Sequence, residues 1–404
     1  MHTATRLKIA TLGATNFIVV LVSTLLFPIF PAMERALEIN IRELSLIIAV
    51  TSFSAAILSP LGGILADRWN RKHVITTSLI LYGLGGLLAG LAIVYLANPF
   101  PVILTGRLLQ GIGTATPMFL TIALAGDMFQ SKERYKTVGL LEAANGLGKI
   151  LSPIIGGTIG LLLWYLPFFL YPLLALPIAL AIWLTVQEPE HPPVGWQDQK
   201  EAFRLFRNRS RILTLLAGVV TIFVLIGTQF WLSNVLEAKL DGGKFIRGLI
   251  LSLPVIFMML TTFFSGILGS KLGTRFTIGS GMFLMAASLF LIPSLFESLL
   301  FWPILAVIGI GAGMILPAMD TVSTAAAKKE YRGILTTTYG ASRSMGSALA
   351  PYIFAVLMEG GNLAPFMPVA TGTVVAGAVV LLFLNNQEIL PPELLPEEDN
   401  GEAS

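Results

Sequence analysis

Polar residues in this chain fall in short clusters, and the stretches between them are long and almost wholly apolar. Such stretches run over residues 9–32, 44–66, 74–96, 101–127, 138–162, 166–187, 212–235, 247–269, 276–296, 301–326, 333–358 and 365–386. Each is near the roughly 20 residues that a helix needs to cross the hydrocarbon core of a bilayer. The pattern therefore predicts twelve membrane-spanning helices. The first stretch follows Arg6 and Lys8, runs too long for a signal-peptide core and lacks a small-residue cleavage pattern before Glu34, so it is expected to be the first span.

The longest polar stretch, Gln187 to Arg211, divides the spans six and six. The expected organisation is an N-terminal bundle over 1–187, a linker over 188–211, a C-terminal bundle over 212–388 and a tail over 389–404. The linker holds Pro189, Pro192 and Pro193 and a basic segment from Arg204 to Arg211, suited to a short amphipathic helix on the membrane surface. The acidic, proline-rich tail has too little apolar surface to fold and is expected to be disordered. An even number of spans puts both termini on one side. If that side is the cytoplasm, 18 lysines and arginines lie inside and five outside, while Arg107, Lys149 and Arg343 fall within spans. Cytoplasmic loops carry such an excess, which predicts cytoplasmic termini in a cell inner membrane.

Composition narrows the class. Only 12% of the 404 residues are charged and 55% are hydrophobic, whereas a soluble domain carries about 25% charged residues. The charges are too few to form a solvated shell, so soluble readings fail. A net charge of +3 follows from the basic loops, without a nucleic-acid partner. The absence of cysteine removes disulfides and thiolate metal sites, and the histidines His2, His73 and His191 form no cluster along the chain, so no metal or cofactor is expected.

The two halves repeat one another. The segment Gly63-Ile64-Leu65 to Lys72 overlays Gly266-Ile267-Leu268 to Arg275, each after the second span of its half. Gly111-Ile112-Gly113 likewise overlays Gly309-Ile310-Gly311 in each half's fourth span. Duplication explains matches in corresponding spans better than chance does, and internal repeats are common in secondary transporters. The expected fold class is thus all-α integral membrane, with two pseudo-symmetric six-helix bundles.

The segment Gly63-Ile64-Leu65-Ala66-Asp67-Arg68-Trp69-Asn70-Arg71-Lys72 resembles the signature loop of the major facilitator superfamily, G-x-L-a-D-R-x-G-R-K. It departs at Asn70, a mild change because asparagine also tolerates φ > 0. The resemblance covers essentially the whole chain and is closest to the twelve-helix drug:proton antiporters. It implies a conformational latch in which Arg71 approaches Asp127 and Asp67 approaches Arg332, with Gly63, Arg68 and Lys72 completing the loop. The positive-inside rule alone explains the basic residues but not Asp67 or Gly63.

Two further motifs extend it. Arg107-Leu-Leu-Gln110-Gly111-Ile-Gly113 resembles the family's R-x-x-Q-G-x-G in the fourth span. An arginine within a span is costly and functional by default, and snorkelling to the outer surface would lower that cost. It is expected to bias a proton-carrying or gating group. Gly148-Lys149-Ile-Leu-Ser152-Pro153-Ile-Ile-Gly156-Gly157 resembles g-x-x-x-G-P-x-x-G-G, which in this superfamily is associated with exporting antiporters; Ser152 replaces a glycine. Small residues allow close helix approach and Pro153 removes a backbone bond.

At 100° per residue, Glu142, Asn145, Gly146, Lys149, Pro153 and Gly156 share one face of the fifth span, and the polar members are expected to line a cavity rather than face lipid. Glu142 is the first candidate for a protonatable carboxylate, because desolvation raises carboxyl pKa values, and Asp320 is the second. Arg343 is expected beside the cavity from the other half. Asn16, Gln229, Trp231 and Asn234 are candidate substrate contacts, and Pro28 and Pro31 suit a break near the end of the first span. An ATP-driven pump would need a P-loop, and Gly148-Lys149 lacks one because Ala143 and Ile150 stand where the motif requires glycine and serine or threonine. No nucleophile elbow or H-E-x-x-H marks an enzyme. The resulting expectation is a monomeric, proton-coupled exporter of small amphipathic molecules. The alternatives are an exporter or flippase of an anionic or zwitterionic substrate such as a siderophore, a carboxylated compound or a lipid, and a proton-coupled importer.

Overall fold

The computed structural model describes residues 3–129, 131–188, 208–239, 243–325 and 332–389. The surface helix expected before Arg209 and the acidic tail lie outside these residues. Among the described residues every regular element is helical. Eleven segments are long and apolar enough to cross a membrane: Thr5–Leu37, Ile41–Ala66, Arg71–Tyr95, Phe100–Met128, Lys136–Ile159, Leu166–Thr185, Arg209–Glu237, Gly243–Ser265, Lys271–Leu295, Phe301–Val322 and Phe366–Phe383. The eleventh expected span is the 27-residue helix Arg332–Met358. It has spanning length, but Arg343 and its serines, threonines and glycines make it less apolar than the others.

Local chemistry sets the breaks. In the first span Pro28 and Pro31 interrupt the helix: Thr3–Thr24 ends, a 3-10 turn covers Phe27–Ile29, and Phe30–Leu37 resumes. The second span starts at a capping box, in which Asn40 Oδ1 accepts from the Glu43 amide at 3.0 Å and Glu43 Oε2 accepts from the Asn40 amide at 2.9 Å. The fourth span is two helices, Phe100–Thr114 and Pro117–Met128, because Pro117 cannot donate into the preceding turn. Between the eighth and ninth spans the chain turns at Gly273, which holds φ 77° and ψ 160°. Asn70, its counterpart in the repeat, sits at φ −81° and ψ 122°. The tolerance of positive φ expected to matter at Asn70 is thus not used there. Of these two repeated turns, only the one at Gly273 uses positive φ.

The chain forms two compact units, Met1–Val194 with Leu232–Ser252, and Gly195–Trp231 with Leu253–Ser404. Phe263, Leu180 and Leu382 are 75%, 58% and 68% exposed, as lipid-facing side chains should be. Inside the first unit, the glycines of the fourth span meet neighbouring backbones. A Cβ on Gly111 would lie 2.1 Å from the Thr51 carbonyl in the second span, and one on Gly113 would lie 2.5 Å from the Tyr82 amide in the third. The second unit repeats this arrangement. A Cβ on Gly309 would lie 1.9 Å from the Pro254 carbonyl in the eighth span, and one on Gly311 would lie 2.6 Å from the Gly281 carbonyl in the ninth. The paired glycines therefore do the same packing work in each half.

Candidate functional site

The fifth span positions most of the candidate residues, and its motif is a ladder of close contacts with the first span. Gly148, Ser152 and Gly156, four residues apart and so on one face, meet Phe17, Leu21 and Leu25, also four apart. A Cβ on Gly148 would lie 2.6 Å from the Phe17 carbonyl and one on Gly156 would lie 1.7 Å from the Leu25 carbonyl. Between them the Ser152 hydroxyl donates to the Leu21 carbonyl at 3.1 Å. Serine in place of the family's glycine thus adds a hydrogen bond without separating the helices.

The opposite side of the fifth span carries a second ladder, absent from the sequence expectations. Lys244, Gly248 and Ser252, again four apart, lie against it. A Cβ on Gly157 would lie 2.3 Å from the Lys244 carbonyl, and one on Gly248 would lie 2.4 Å from the Pro153 carbonyl. The Ser252 hydroxyl donates to the Ile150 carbonyl at 2.7 Å. Lys244 also donates through Nζ to the Gly160 carbonyl. Beside this contact, Glu237 Oε1 accepts from Arg35 at 2.9 Å and faces Arg247 at 3.5 Å. Glycine and serine four apart in the eighth span were the available signal for this contact.

The polar residues of the first unit expected to line a cavity include a connected set. Asn16 is wholly buried, accepts from the Thr121 hydroxyl and approaches the Leu141 carbonyl at 3.5 Å. Asn145, also buried, donates to the Met118 sulfur at 2.8 Å. These bonds tie the first, fourth and fifth spans together. On the same helix Glu142 is exposed and Lys149 half-buried. Gly146, Pro153 and Gly156 are buried. One face of the fifth span therefore changes along its length from exposed carboxylate to sealed backbone contact.

In the second unit, Arg343 donates to Asp320 Oδ1 at 2.6 Å and to the Leu316 carbonyl at 3.2 Å. The charge of Arg343 is thus offset within its own half by the carboxylate considered as a second proton carrier. Gln229 is buried, and Asn234 is half-buried. Trp231 is fully buried among Phe296, Phe301 and Phe366, and its indole N–H donates to the Asn362 carbonyl at 2.6 Å. Its ring belongs to the aromatic core of that unit.

Arg107 lies deep inside the first unit. It does not snorkel: the side chain is fully buried, and each guanidinium nitrogen has an acceptor. Nε donates to the Ile47 carbonyl at 3.0 Å, Nη1 to Gln110 Oε1 at 2.7 Å and Nη2 to the Val22 carbonyl at 3.1 Å. It braces the first and second spans against the fourth. In the signature loop Arg71 pairs with Asp127, as the family pattern implies. The Glu188 carboxylate also caps the third span, accepting from the Arg71 and Lys72 amides at 3.0 and 2.9 Å. The side chains of Asp67, Arg68 and Arg332 lie outside the described residues, and with them the second expected pair.

Two bundles of apolar helices, glycine-mediated contacts repeated between halves and charged groups held inside spans define a multi-pass membrane transporter. The chain belongs to the major facilitator superfamily: residues 12–351 and 238–403 match the family model described as Major Facilitator Superfamily. It is 33% identical to the bacillibactin exporter of Bacillus subtilis (strain 168) over 93% of this chain and 95% of that protein. It is 25% identical to the class B tetracycline resistance protein of Escherichia coli, covering 82% of this chain and 84% of that one. The quinolone resistance protein NorA of Staphylococcus aureus (strain MRSA252) is 24% identical over 91% of this chain and 93% of its own. A D-xylose-proton symporter structure superposes with a TM-score of 0.76 at 15% identity, covering 95% of this chain and 98% of that one. Likeness to a symporter at that identity establishes the fold alone.

Proposed function

We propose that the protein is a proton-coupled exporter of small amphipathic molecules in a bacterial inner membrane, working as a monomer with both termini in the cytoplasm. The observation that carries the reading is the fifth span: its export-associated motif is built as a double-sided contact ladder, with Glu142 exposed on the same helix. Full-length similarity to an exporter supports the direction of transport. The excess of 18 basic residues on the terminal side over five opposite supports the orientation.

In this reading the six-span halves over 1–187 and 212–388 transport substrate by alternating access. The ladder between the fifth and eighth spans separates as the outer side opens, and the Arg71–Asp127 pair with the signature loop acts as the inner latch. Glu142 takes up a proton from the side that opens and releases it on the other, and substrate moves the opposite way. Asn16, Asn145 and Lys149 of the first unit and Gln229 and Arg343 of the second are the substrate contacts in this reading. Asp320 offsets Arg343 within the second unit, and Glu142 carries the charge opposite to that of Lys149 on the fifth span, so the substrate panel spans cationic, zwitterionic and anionic compounds.

The test is uptake of a substrate panel, one cationic dye, one zwitterionic fluoroquinolone and one aromatic carboxylate, into inverted vesicles with an acidified lumen and no ATP. The reading expects uptake that follows the imposed gradient and falls by at least about tenfold in Glu142→Gln. Uptake that persists after the gradient is collapsed, or that needs ATP, would overturn it.

A further inference from the structure

We propose that Arg211 and Tyr339 form a binding site for the oxygens of a carboxylate or phosphate group, at the end of the second unit where the seventh span begins. Arg211 lies in the first turn of the helix Arg209–Lys239 and is only 8% exposed. Its Nε and Nη1 atoms are sealed from solvent and have no hydrogen-bond partner. Among the described residues no carboxylate forms an ion pair with it. A guanidinium stays ionised at any accessible pH, so this charge cannot be relieved by losing a proton.

Arg107 shows what the chain does with a guanidinium that only holds helices together. All three of its nitrogens have acceptors, two of them backbone carbonyls. Arg211 is buried to a similar degree, yet two of its donors are left open. The neighbouring polar groups are committed elsewhere: the Ser210 hydroxyl donates to Glu388 Oε2 at 2.7 Å and accepts from the Asn385 amide at 3.0 Å. The Asn208 side chain accepts from the backbone amide of Arg211 at 3.2 Å, not from the guanidinium.

The ligand class follows from the donors. The hydroxyl of Tyr339, 2% exposed, is close enough to act electrostatically on the guanidinium. A buried guanidinium fork with two nitrogens lacking an acceptor, beside a phenol and with no carboxylate paired to it among the described residues, matches a carboxylate or phosphate. The start of a 31-residue helix adds the positive end of the helix dipole, while the Arg211 and Ile212 amides are already held by Asn208. Such an anion can come from a soluble compound or from a lipid headgroup. With the termini in the cytoplasm, the site lies on the cytoplasmic side of the second unit. Occupancy is read at equilibrium without a gradient, so it stands or falls separately from the direction of transport.

The experiment uses the full chain in nanodiscs, with thermal unfolding and titration calorimetry as readouts. In phosphatidylcholine discs, benzoate and inorganic phosphate are titrated into wild type, Arg211→Gln, Arg211→Lys and Tyr339→Phe. Saturable binding to wild type that weakens about tenfold in Arg211→Gln, and by a few-fold in the other two, is expected for a soluble anion. Stabilisation by discs containing phosphatidylglycerol, present in wild type and lost in the variants, identifies a headgroup as the source instead. Either pattern supports the site. If Arg211→Gln does not fold, the Lys and Phe variants carry the comparison. Wild type that responds to none of the three anions, or variants that bind them as wild type does, would overturn the assignment.

Discussion

Gly156→Leu is expected to reduce transport to background and to lower stability by at least about 3 kcal/mol, read by thermal unfolding of the purified protein. A Cβ at this position would lie 1.7 Å from the Leu25 carbonyl, and that atom belongs to backbone that no rotamer change can move. Overpacking a well-filled core usually costs about 1–3 kcal/mol, and here the fifth span must back away from the first along its length. Ser152→Gly supplies the contrast. It removes one hydrogen bond, worth roughly 0.6 kcal/mol on average between membrane helices, and keeps the close approach. Its transport is expected to stay within about twofold of wild type. If the two variants behaved alike, the ladder would not be the basis of the motif.

Arg107→Ala is expected to be as damaging by a different route. It takes a donor from the carbonyls of Val22 and Ile47 and from the amide oxygen of Gln110 in a buried site, and of these Ile47 keeps the Thr51 hydroxyl at 3.1 Å. Each unsatisfied group costs about 1–3 kcal/mol, so a loss of about 3–5 kcal/mol is expected, with transport down at least about tenfold. Arg107→Lys should recover little, because one ammonium on a flexible stem cannot reach three acceptors that lie in three directions. A lysine variant with wild-type stability and transport would show that charge alone matters at this position. The bracing geometry would then be incidental.

The fold was legible because bilayer solvation forces long apolar runs, and the breaks at Pro28, Pro31 and Pro117 follow from the missing proline amide. The eleventh span was legible from its length, although Arg343 and its small polar residues thin its hydrophobicity. The helix contacts were only partly legible. Gly148, Ser152 and Gly156 announce close packing, but a sequence does not say which neighbour fills each face, and the eighth-span partners Gly248 and Ser252 went unread. A repeat also went unread: Gly346 and Pro351 stand in the eleventh span as Gly148 and Pro153 do in the fifth. A Cβ on Gly346 would lie 2.3 Å from the Val219 carbonyl of the seventh span, as Gly148 meets the first. At Arg107 the sequence left the depth open. A position two turns from a helix end suggests snorkelling, while the carbonyls that hold the side chain come from residues 60 and 85 positions earlier in the chain. For Trp231 packing and substrate contact were equally open in the sequence, since its ring partners Phe296 and Phe366 lie far along the chain and leave no periodicity to read.

The central claim is that gradient-driven export proceeds by separation of the eighth span from the fifth. The natural chain contains no cysteine, so a pair introduced at Ile150 and Ser252, where hydroxyl and carbonyl now meet at 2.7 Å, can be cross-linked without background. In inverted vesicles with an acid lumen, the Ile150→Cys/Ser252→Cys protein should accumulate substrate when reduced, stop when oxidised and resume after reduction. Accumulation at the reduced rate in fully oxidised protein would contradict the claim.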